Sequence, residues 1–245
     1  MSETDAALAR RLATRAGQLL MTLRQGFSGT GTALGAEGDR AANAFLMDEL
    51  RATRPGDAIL SEEEAADPAR LAARRIWIVD PLDGTREYGE RRDDWAVHVG
   101  LAIDGTAVHG AVALPALGAC FCSEFPPRLA AEHRPLRMLV SRSRPAPDAV
   151  AVAERLGATL VPMGSAGAKA MAVLRGDADI YLHSGGQYEW DNCAPAAVAR
   201  AAGLHVSRLD GSPLVYNRAD PLLPDLLICH KSRAASVLRL LIPAV

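Results

Sequence analysis

Trp77-Ile78-Val79-Asp80-Pro81-Leu82-Asp83-Gly84-Thr85 runs an apolar strand straight into two carboxylates three residues apart, split by a proline and followed at once by Gly-Thr. A run such as Trp77 to Val79 belongs in a core, so Asp80 arrives at the end of a buried strand. Pro81 has no N–H to give a ladder and is expected to stop the strand and fix a turn there. Asp83 then folds back toward Asp80, with the backbone N–H groups of Gly84 and Thr85 and a hydroxyl beside it. Two converging buried carboxylates need a counter-charge. A hard divalent cation held by oxygen ligands supplies one, and such a set favours magnesium. The plainer reading is a strand followed by a common Asp-Gly turn.

Working outward, two more acid blocks join it. Upstream, Ile59-Leu60 is broken by Ser61-Glu62-Glu63-Glu64 where a strand should end. Downstream, Glu189-Trp190-Asp191 introduces the small-residue stretch Asn192-Cys193-Ala194-Pro195-Ala196-Ala197-Val198, the first turns of a buried helix. Asp191 is an apt N-cap for that helix, which is its ordinary explanation.

Together the three blocks resemble the signature of the magnesium-dependent, lithium-sensitive inositol monophosphatase superfamily. That signature is an acidic Glu-Glu pair, then Asp-Pro-(Leu/Ile)-Asp-Gly-Thr, then Trp-Asp-x-x-Ala-Pro. The resemblance spans nearly the whole chain, to the Asp210-Gly211-Ser212-Pro213-Leu214 turn, and is nearest to the 3'(2'),5'-bisphosphate nucleotidases of the CysQ type. It implies an αβαβα sandwich of the sugar-phosphatase fold, a layered α+β and α/β architecture. It also implies hydrolysis of 3'-phosphoadenosine 5'-phosphate to AMP and phosphate.

Matched residue by residue, the resemblance puts Glu62, Asp80 and the Leu82 carbonyl on a first Mg2+ and Asp80, Asp83 and Asp191 on a second. A third, looser ion leans on Glu62. Gly84 and Thr85 cradle the phosphate, and a Thr85–Asp39 pair activates the attacking water. Asp39 also reads as a helix N-cap. Glu63 orders metal-bound water, and Glu64 is a solvated acid. Many members carry a Lys and an Asp just before the position of Asp39, in a mobile loop; here Thr30 to Gly38 has neither, and Glu37 is the acid available.

Two stretches bear on the substrate. Gly164-Ser165-Ala166-Gly167-Ala168-Lys169 resembles a loop that borders the substrate at a helix start. Ser165 is placed to meet a hydroxyl or second phosphate. Lys169 is one of only two lysines among 27 basic residues, which points to a specific role in binding the substrate; its bland reading is an exposed helical cation. In His183-Ser184-Gly185-Gly186-Gln187-Tyr188, His183 stands where inositol phosphatases carry a glutamate. That leaves room for a base lined by Gln187 and Tyr188, beyond a Gly-Gly turn. Arg86 and the loop 87–92 read as a lid, a dimer contact or a solvated loop.

Composition agrees with a globular enzyme. At 245 residues and 49% hydrophobic the chain can bury a substantial core. A net charge of -2 gives no field to recruit a nucleic-acid polymer or an anionic membrane. No apolar run approaches the roughly 20 residues a bilayer needs, and the N-terminus has no signal-peptide core. Cys120, Cys122, Cys193 and Cys229 lack zinc spacing and read as reduced thiols in a cytoplasmic protein. A homodimer acting on a small phosphorylated molecule is expected.

Periodicity predicts a helix from Thr4 to about Gly26, a Gly-rich linker over Ser28–Gly38, and a helix from Asp39 to about Thr53. Strands follow near 58–60, 75–80, 95–103, 106–114 and 119–124, with Asp104-Gly105 as a hairpin turn. Residues 136–245 alternate strands (136–140, 159–162, 178–182, 205–209, 226–229) with helices (147–156, 166–174, 192–202, 234–241). The expected division is an antiparallel half over 1–135 with most metal ligands and an α/β half over 136–245 with the specificity loops.

Three other readings compete. Inositol 1-phosphate or fructose 1,6-bisphosphate is the main or side substrate in one. In another the Asp-Gly-Thr belongs to a haloacid-dehalogenase-type phosphatase, but those aspartates are one residue apart and Asp80 and Asp83 are separated by two. In the last the chain is an inactive binding or regulatory relative, which predicts a lost ligand; Glu62, Asp80, Asp83, Thr85 and Asp191 are all present.

Overall fold

A computed structural model describes residues 3–241. Helices α1 (Asp5–Gly26) and α2 (Gly31–Thr53) come first, each capped by a threonine hydroxyl, Thr4 on Ala7 N and Thr30 on Ala33 N. Strands β1 (Ala58–Ser61) and β2 (Arg75–Asp83) lead to the short helix α3 (Thr85–Gly89), then to β3 (Ala96–Ile103), β4 (Thr106–Leu114) and β5 (Ala119–Cys122). These five strands form one sheet in sequence order, antiparallel except for the β1–β2 pair. The Asp104-Gly105 turn between β3 and β4 has both residues at positive φ, 47° and 76°.

The second half runs β6 (Arg137–Ser141), α4 (Pro147–Leu156), β7 (Thr159–Met163), α5 (Ala166–Arg175), β8 (Ile180–Tyr188), α6 (Glu189–Ala201), β9 (His205–Ser207), β10 (Leu222–Cys229) and α7 (Lys231–Leu241). Its sheet has the order β7-β6-β8-β10-β9, parallel on the β7–β6–β8 side and antiparallel on the other.

Strand alternation explains the layering. On β2, Trp77 and Val79 pack under α1 and α2, while Ile76 and Ile78 face a central core that includes α5 and α6. On β10, Leu226 and Ile228 join that central core from the other sheet, and Leu227 and Cys229 face α4 and α7. Helices therefore cover both faces of both sheets, giving the layers α1/α2, sheet, α5/α6, sheet, α4/α7. This is the αβαβα sandwich expected, and it accounts for continuous apolar runs where a one-sided sheet would alternate. Helix α6 lies close on the first sheet because Gly100 and Gly110 pair across β3 and β4; a Cβ on Gly110 would sit 2.7 Å from Ala194 O.

Four local readings change. The stretch expected as a Gly-rich linker is helical from Gly31, so Asp39 is inside α2 and not its N-cap. The helical cost of those glycines is offset by contact with α3. A Cβ on Gly31 would lie 2.7 Å from Gly89 O, and one on Gly35 2.8 Å from Thr85 Cγ2. Pro81 does not end β2: pairing slips between Asp80↔His98 and Asp83↔Ala96, and this bulge absorbs the proline. Gly185 and Gly186, at φ 86° and 91°, form a bulge inside β8 opposite Leu223 and Asp225, not a turn that ends it. Residues 86–89 of the stretch read as a lid, dimer contact or solvated loop belong to helix α3 (Thr85–Gly89), with Glu87 and Tyr88 buried.

Candidate active site

The β2 bulge sets Asp80 and Asp83 close together with different partners. Asp80 is buried, and its Oδ1 accepts the Leu82 N–H at 3.0 Å. Asp83 reaches across to the start of α5. There it accepts Ser165 Oγ (2.5 Å), Ala166 N (3.1 Å) and Gly167 N (2.6 Å), an anion seated on a helix N-terminus. His98 Nε2 lies 3.1 Å from Asp83 Oδ2 but off the line of a good hydrogen bond, so the contact is ionic; its Nδ1 is 3.0 Å from Trp190 O. Burial pushes the Asp83 carboxyl up, but His98, Lys169 and the Ser165 hydroxyl outweigh it and hold the acid down at about 2.

The other acids behave oppositely. Burial and the charges of Glu62, Asp83 and Asp191 hold Asp80 well above the carboxylate range. Asp191 is pushed up to about 7 by burial and Asp83. Glu62 lies at the open edge of the group, yet the surrounding protein and Asp83 raise it to about 7. Asp39 reaches about 7 through burial and the charge of Glu63. Among the described residues none of these four has an Arg or Lys within ion-pair distance, so the protein itself supplies them no cation. That is what a divalent-metal site of hard oxygen donors requires. One ligand atom each from Asp80, Asp83 and His98 falls within a 4.8 Å set; Glu62 and Asp191 lie outside it.

Thr85 Oγ1 is 3.3 Å from Asp39 Oδ1 and donates to Leu82 O at 3.1 Å, so α2 brings Asp39 to the turn from its interior position. Gly84, at φ 91°, opens α3 ahead of Thr85. Asp191 is the third residue of α6, and its Oδ2 accepts Tyr188 N at 2.6 Å; Tyr188 holds the cap position expected for the aspartate. Glu64 pairs with Arg51 at 2.8 Å on the surface, the solvated role expected of it.

Gly84, Thr85, Arg86 and Glu87 line one side of a cleft of about 550 Å³; the loop 141–144, with Arg142 and Arg144, and the Gly164–Lys169 segment line the rest. Lys169 is not the exposed cation of the bland reading. It is 5% exposed, donates to Gly164 O and Ser165 O, and stands 5.3 Å over the Tyr181 ring. Burial lowers its pKa. The Ser165 hydroxyl is engaged by Asp83 and Ala168 N, so it supports the acid turn where a substrate contact was expected. His183 Nε2 is buried without a hydrogen-bond partner, and burial together with Lys169 and Arg144 lowers the ring to about 4. Gln187 is 4% exposed and donates to Tyr181 Oη, turned from the base pocket it was expected to line.

Sequence reasoning passed over His98 and Arg144. His98 carried a usable signal, a polar residue inside the apolar run Trp95 to Ile103; the β2–β3 pairing sets it opposite Asp80. Arg144 gave none, being one arginine among many.

The sequence model of the inositol monophosphatase family matches residues 1–241. The chain belongs to the inositol monophosphatase family. A 3'-phosphoadenosine 5'-phosphate phosphatase of Mycobacterium leprae is 50% identical, over 96% of this chain and 92% of that protein. The 3'(2'),5'-bisphosphate nucleotidase CysQ of Escherichia coli K12 is 30% identical over 76% and 80%. The fold is shared with CysQ from Bacteroides thetaiotaomicron (TM-score 0.76, 24% identity, covering 94% of this chain and 98% of that one). It is shared also with inositol monophosphatase II of Staphylococcus aureus (TM-score 0.80, 19% identity, 95% and 91%). Phosphatases of this family are metal-dependent, and the acid cluster fits that chemistry.

Proposed function

We propose that this chain is a magnesium-dependent phosphomonoesterase that hydrolyses 3'-phosphoadenosine 5'-phosphate to AMP and phosphate. The observation that carries the reading is the pairing of two opposite fields: carboxylates without a protein cation beside a cleft whose Arg144 has no carboxylate partner among the described residues. A substrate with one phosphate on bound metal and a second on the basic side satisfies both. The 50% identity to a phosphatase of that name supports the same substrate.

Glu62, Asp80, the Leu82 carbonyl, Asp83 and Asp191 would hold two or three Mg2+ ions, with Asp80 shared. When bound, the ions supply Lewis acidity and charge neutralisation to the phosphoryl group. The protein's own part is orientation and proton transfer. Thr85 Oγ1 takes a proton from the attacking water while passing its own to Asp39, along the contact the two already make. Glu63 orders the water from the other side. Backbone N–H groups of Gly84 and Thr85 hold the reacting phosphate. Ser165 keeps Asp83 in place, and Lys169 and His183 bind the far end of the substrate with Arg144.

On this reading residues 1–135 carry most of the metal ligands and 136–245 the specificity loops. The enzyme is a cytoplasmic homodimer, which sedimentation velocity tests. Among the described residues no helix is long and apolar enough to cross a membrane. The deciding assay measures phosphate release from 3'-phosphoadenosine 5'-phosphate, inositol 1-phosphate and fructose 1,6-bisphosphate with and without magnesium. Magnesium-dependent release, fastest from the nucleotide, is expected. No release from any of them at millimolar magnesium overturns the enzyme reading, and equal rates overturn the substrate.

A further inference from the structure

A substrate with two phosphates fits only if the acid turn and the basic end of the cleft are held at a fixed spacing; this inference rests on that substrate reading. The two ends belong to different sheets, and one buried carboxylate joins them. Glu87, on α3 two residues past Thr85, is 6% exposed. Arg142, just after β6, donates Nη2 to Glu87 Oε1 at 2.8 Å and to Glu90 Oε2 at 2.8 Å, with Nε 3.3 Å from Glu87. Arg86, the other cation near Glu87, stays at 3.6 Å.

The fit around Glu87 is tight. A Cβ on Gly164 would lie 2.4 Å from Glu87 Cγ, so the loop before α5 rests directly on the same side chain. Gly164 N also donates to Asp94 Oδ2 at 2.7 Å, and Arg142 N to Met163 O at 3.2 Å. Three segments thus close on one acid: α3 behind Thr85, the loop after β6 that carries Arg144, and the loop before α5 that leads to Lys169. Neutralising a buried carboxylate needs a cation in good geometry: Arg142 meets Glu87 through both Nε and Nη2 and shares Nη2 with Glu90, whereas Arg86 stays 3.6 and 3.8 Å from the two acids. With Arg142 occupied by these acids, Arg144 is the arginine of this loop left to meet an anion in the cleft.

We propose that the Glu87–Arg142 pair is a specificity ruler: it fixes the spacing between Thr85 and Arg144 and thereby selects substrates that carry a second phosphate. Both stand in the wall of the cleft, but each is engaged by the other, so they act as positioning residues. An Arg142 that bound the second phosphate directly would instead leave the bisphosphate KM unchanged or lower in Glu87→Gln. A purely structural ion pair would act on every substrate alike, whereas a ruler acts only where the second phosphate must be reached.

The test compares 3'-phosphoadenosine 5'-phosphate with adenosine 3'-phosphate, which loses its phosphate from the same ribose 3'-oxygen but has no 5'-phosphate, at saturating magnesium. In Arg142→Ala the KM for the bisphosphate should rise about tenfold with kcat nearly unchanged, while both constants for adenosine 3'-phosphate stay within about twofold. Arg142→Lys should fall between, since it restores charge without the fork. Glu87→Gln, which keeps volume and polarity, carries the test if Arg142→Ala melts, with a rise of about threefold. Equal losses on both substrates, or no change on either, overturn the ruler. A wild type with no preference for the bisphosphate overturns the substrate reading and the ruler with it; a wild-type preference retained in Arg142→Ala overturns the ruler alone.

Discussion

Two groups of acids around the first sheet titrate in opposite directions. Asp5 and Asp57 share Arg75: Nη2 reaches Asp5 at 2.9 Å, and Nε reaches Asp57 at 2.8 Å. Arg54 adds a 2.8 Å contact to Asp5, and Trp77 Nε1 donates to Asp57 at 2.9 Å. Burial pushes both carboxyls up, but the hydrogen bonds and charges of their partners outweigh it and hold them below the usual range. Asp39, Glu62, Asp80 and Asp191 are raised, because burial and mutual repulsion meet no Arg or Lys. Asp80 is the more deeply buried, but burial pushes all of these carboxyls up, so it is the cationic partner that reverses the sign at Asp5 and Asp57. The first group fastens α1 to β2. The second keeps repulsion that a bound cation relieves, the mark of a site rather than a brace.

Asp80→Asn tests that contrast with the largest effect. It removes the shared ligand of the proposed metal pair, so turnover should fall at least about a thousandfold. It also removes a buried charge from among like charges while its side-chain oxygen still accepts the Leu82 N–H. The chelator-treated variant should therefore melt no lower than the wild type, and magnesium should raise its Tm less. Turnover near the wild-type rate would refute the metal assignment.

The pH dependence of the metal-free protein should separate the groups by sign. A carboxyl raised on folding binds more protons folded than unfolded, so stability falls as pH rises between its unfolded value and its folded one. For Asp39, Glu62 and Asp191 that window runs from the ordinary values of 3.8 or 4.5 up to about 7. Asp5 and Asp57 are lowered, so their contribution is present above 3.8 and is lost as pH falls through their folded values. In chelator, melting temperature should peak near the acidic end of the window, and magnesium should remove the decline toward pH 7 by taking the place of protons. A metal-free Tm that climbs steadily from pH 5 to about 7 would contradict the open-acid picture.

Asp57→Asn should do the reverse of Asp80→Asn. It weakens a partly buried ion pair and leaves Arg75 short of a charge, costing about 1–2 kcal/mol in denaturant unfolding with kcat unchanged. A matching loss of kcat would mean that the brace also shapes the site.

The two groups were not equally legible in the sequence. Asp80 and Asp83 stood out because carboxylates at the end of an apolar run ask for a partner, and Glu62 and Asp191 because acid blocks interrupted buried elements. The five layers came with the family resemblance, and the order of strands and helices fits them. Asp39 was placed beside Thr85, yet its helix was begun eight residues late, because Gly31, Gly35 and Gly38 read as a linker until their packing on α3 is seen. The basic side of the cleft was only partly legible. Lys169 stood out as a rare lysine in an arginine-rich chain, but only the tertiary structure buries it over Tyr181, and Arg144 gave no signal. Ser165 matched a substrate loop, but its hydroxyl is taken by Asp83, 82 residues away in sequence. Repulsion and periodicity are local signals; who neutralises whom is settled by topology.

The smallest effect should come from Glu64→Gln, and it is informative because it is small. Glu62, Glu63 and Glu64 are consecutive acids and all exposed as residues, so composition does not distinguish them. Their surroundings do. Glu62 is raised to about 7 among the site acids and Glu63 presses on Asp39, while Glu64 turns to Arg51 at 2.8 Å, with Asn43 Nδ2 at 3.5 Å. An exposed pair of this kind contributes about 0–1 kcal/mol and nothing to a metal site across the strand end. Glu64→Gln should leave the magnesium activation constant and kcat within about twofold of wild type, where Glu62→Gln raises the former and collapses the latter. A loss in Glu64→Gln comparable to that in Glu62→Gln would mean that the whole acidic run acts as one field. The contrast between braced and open acids would then have to be drawn by region and not by side chain.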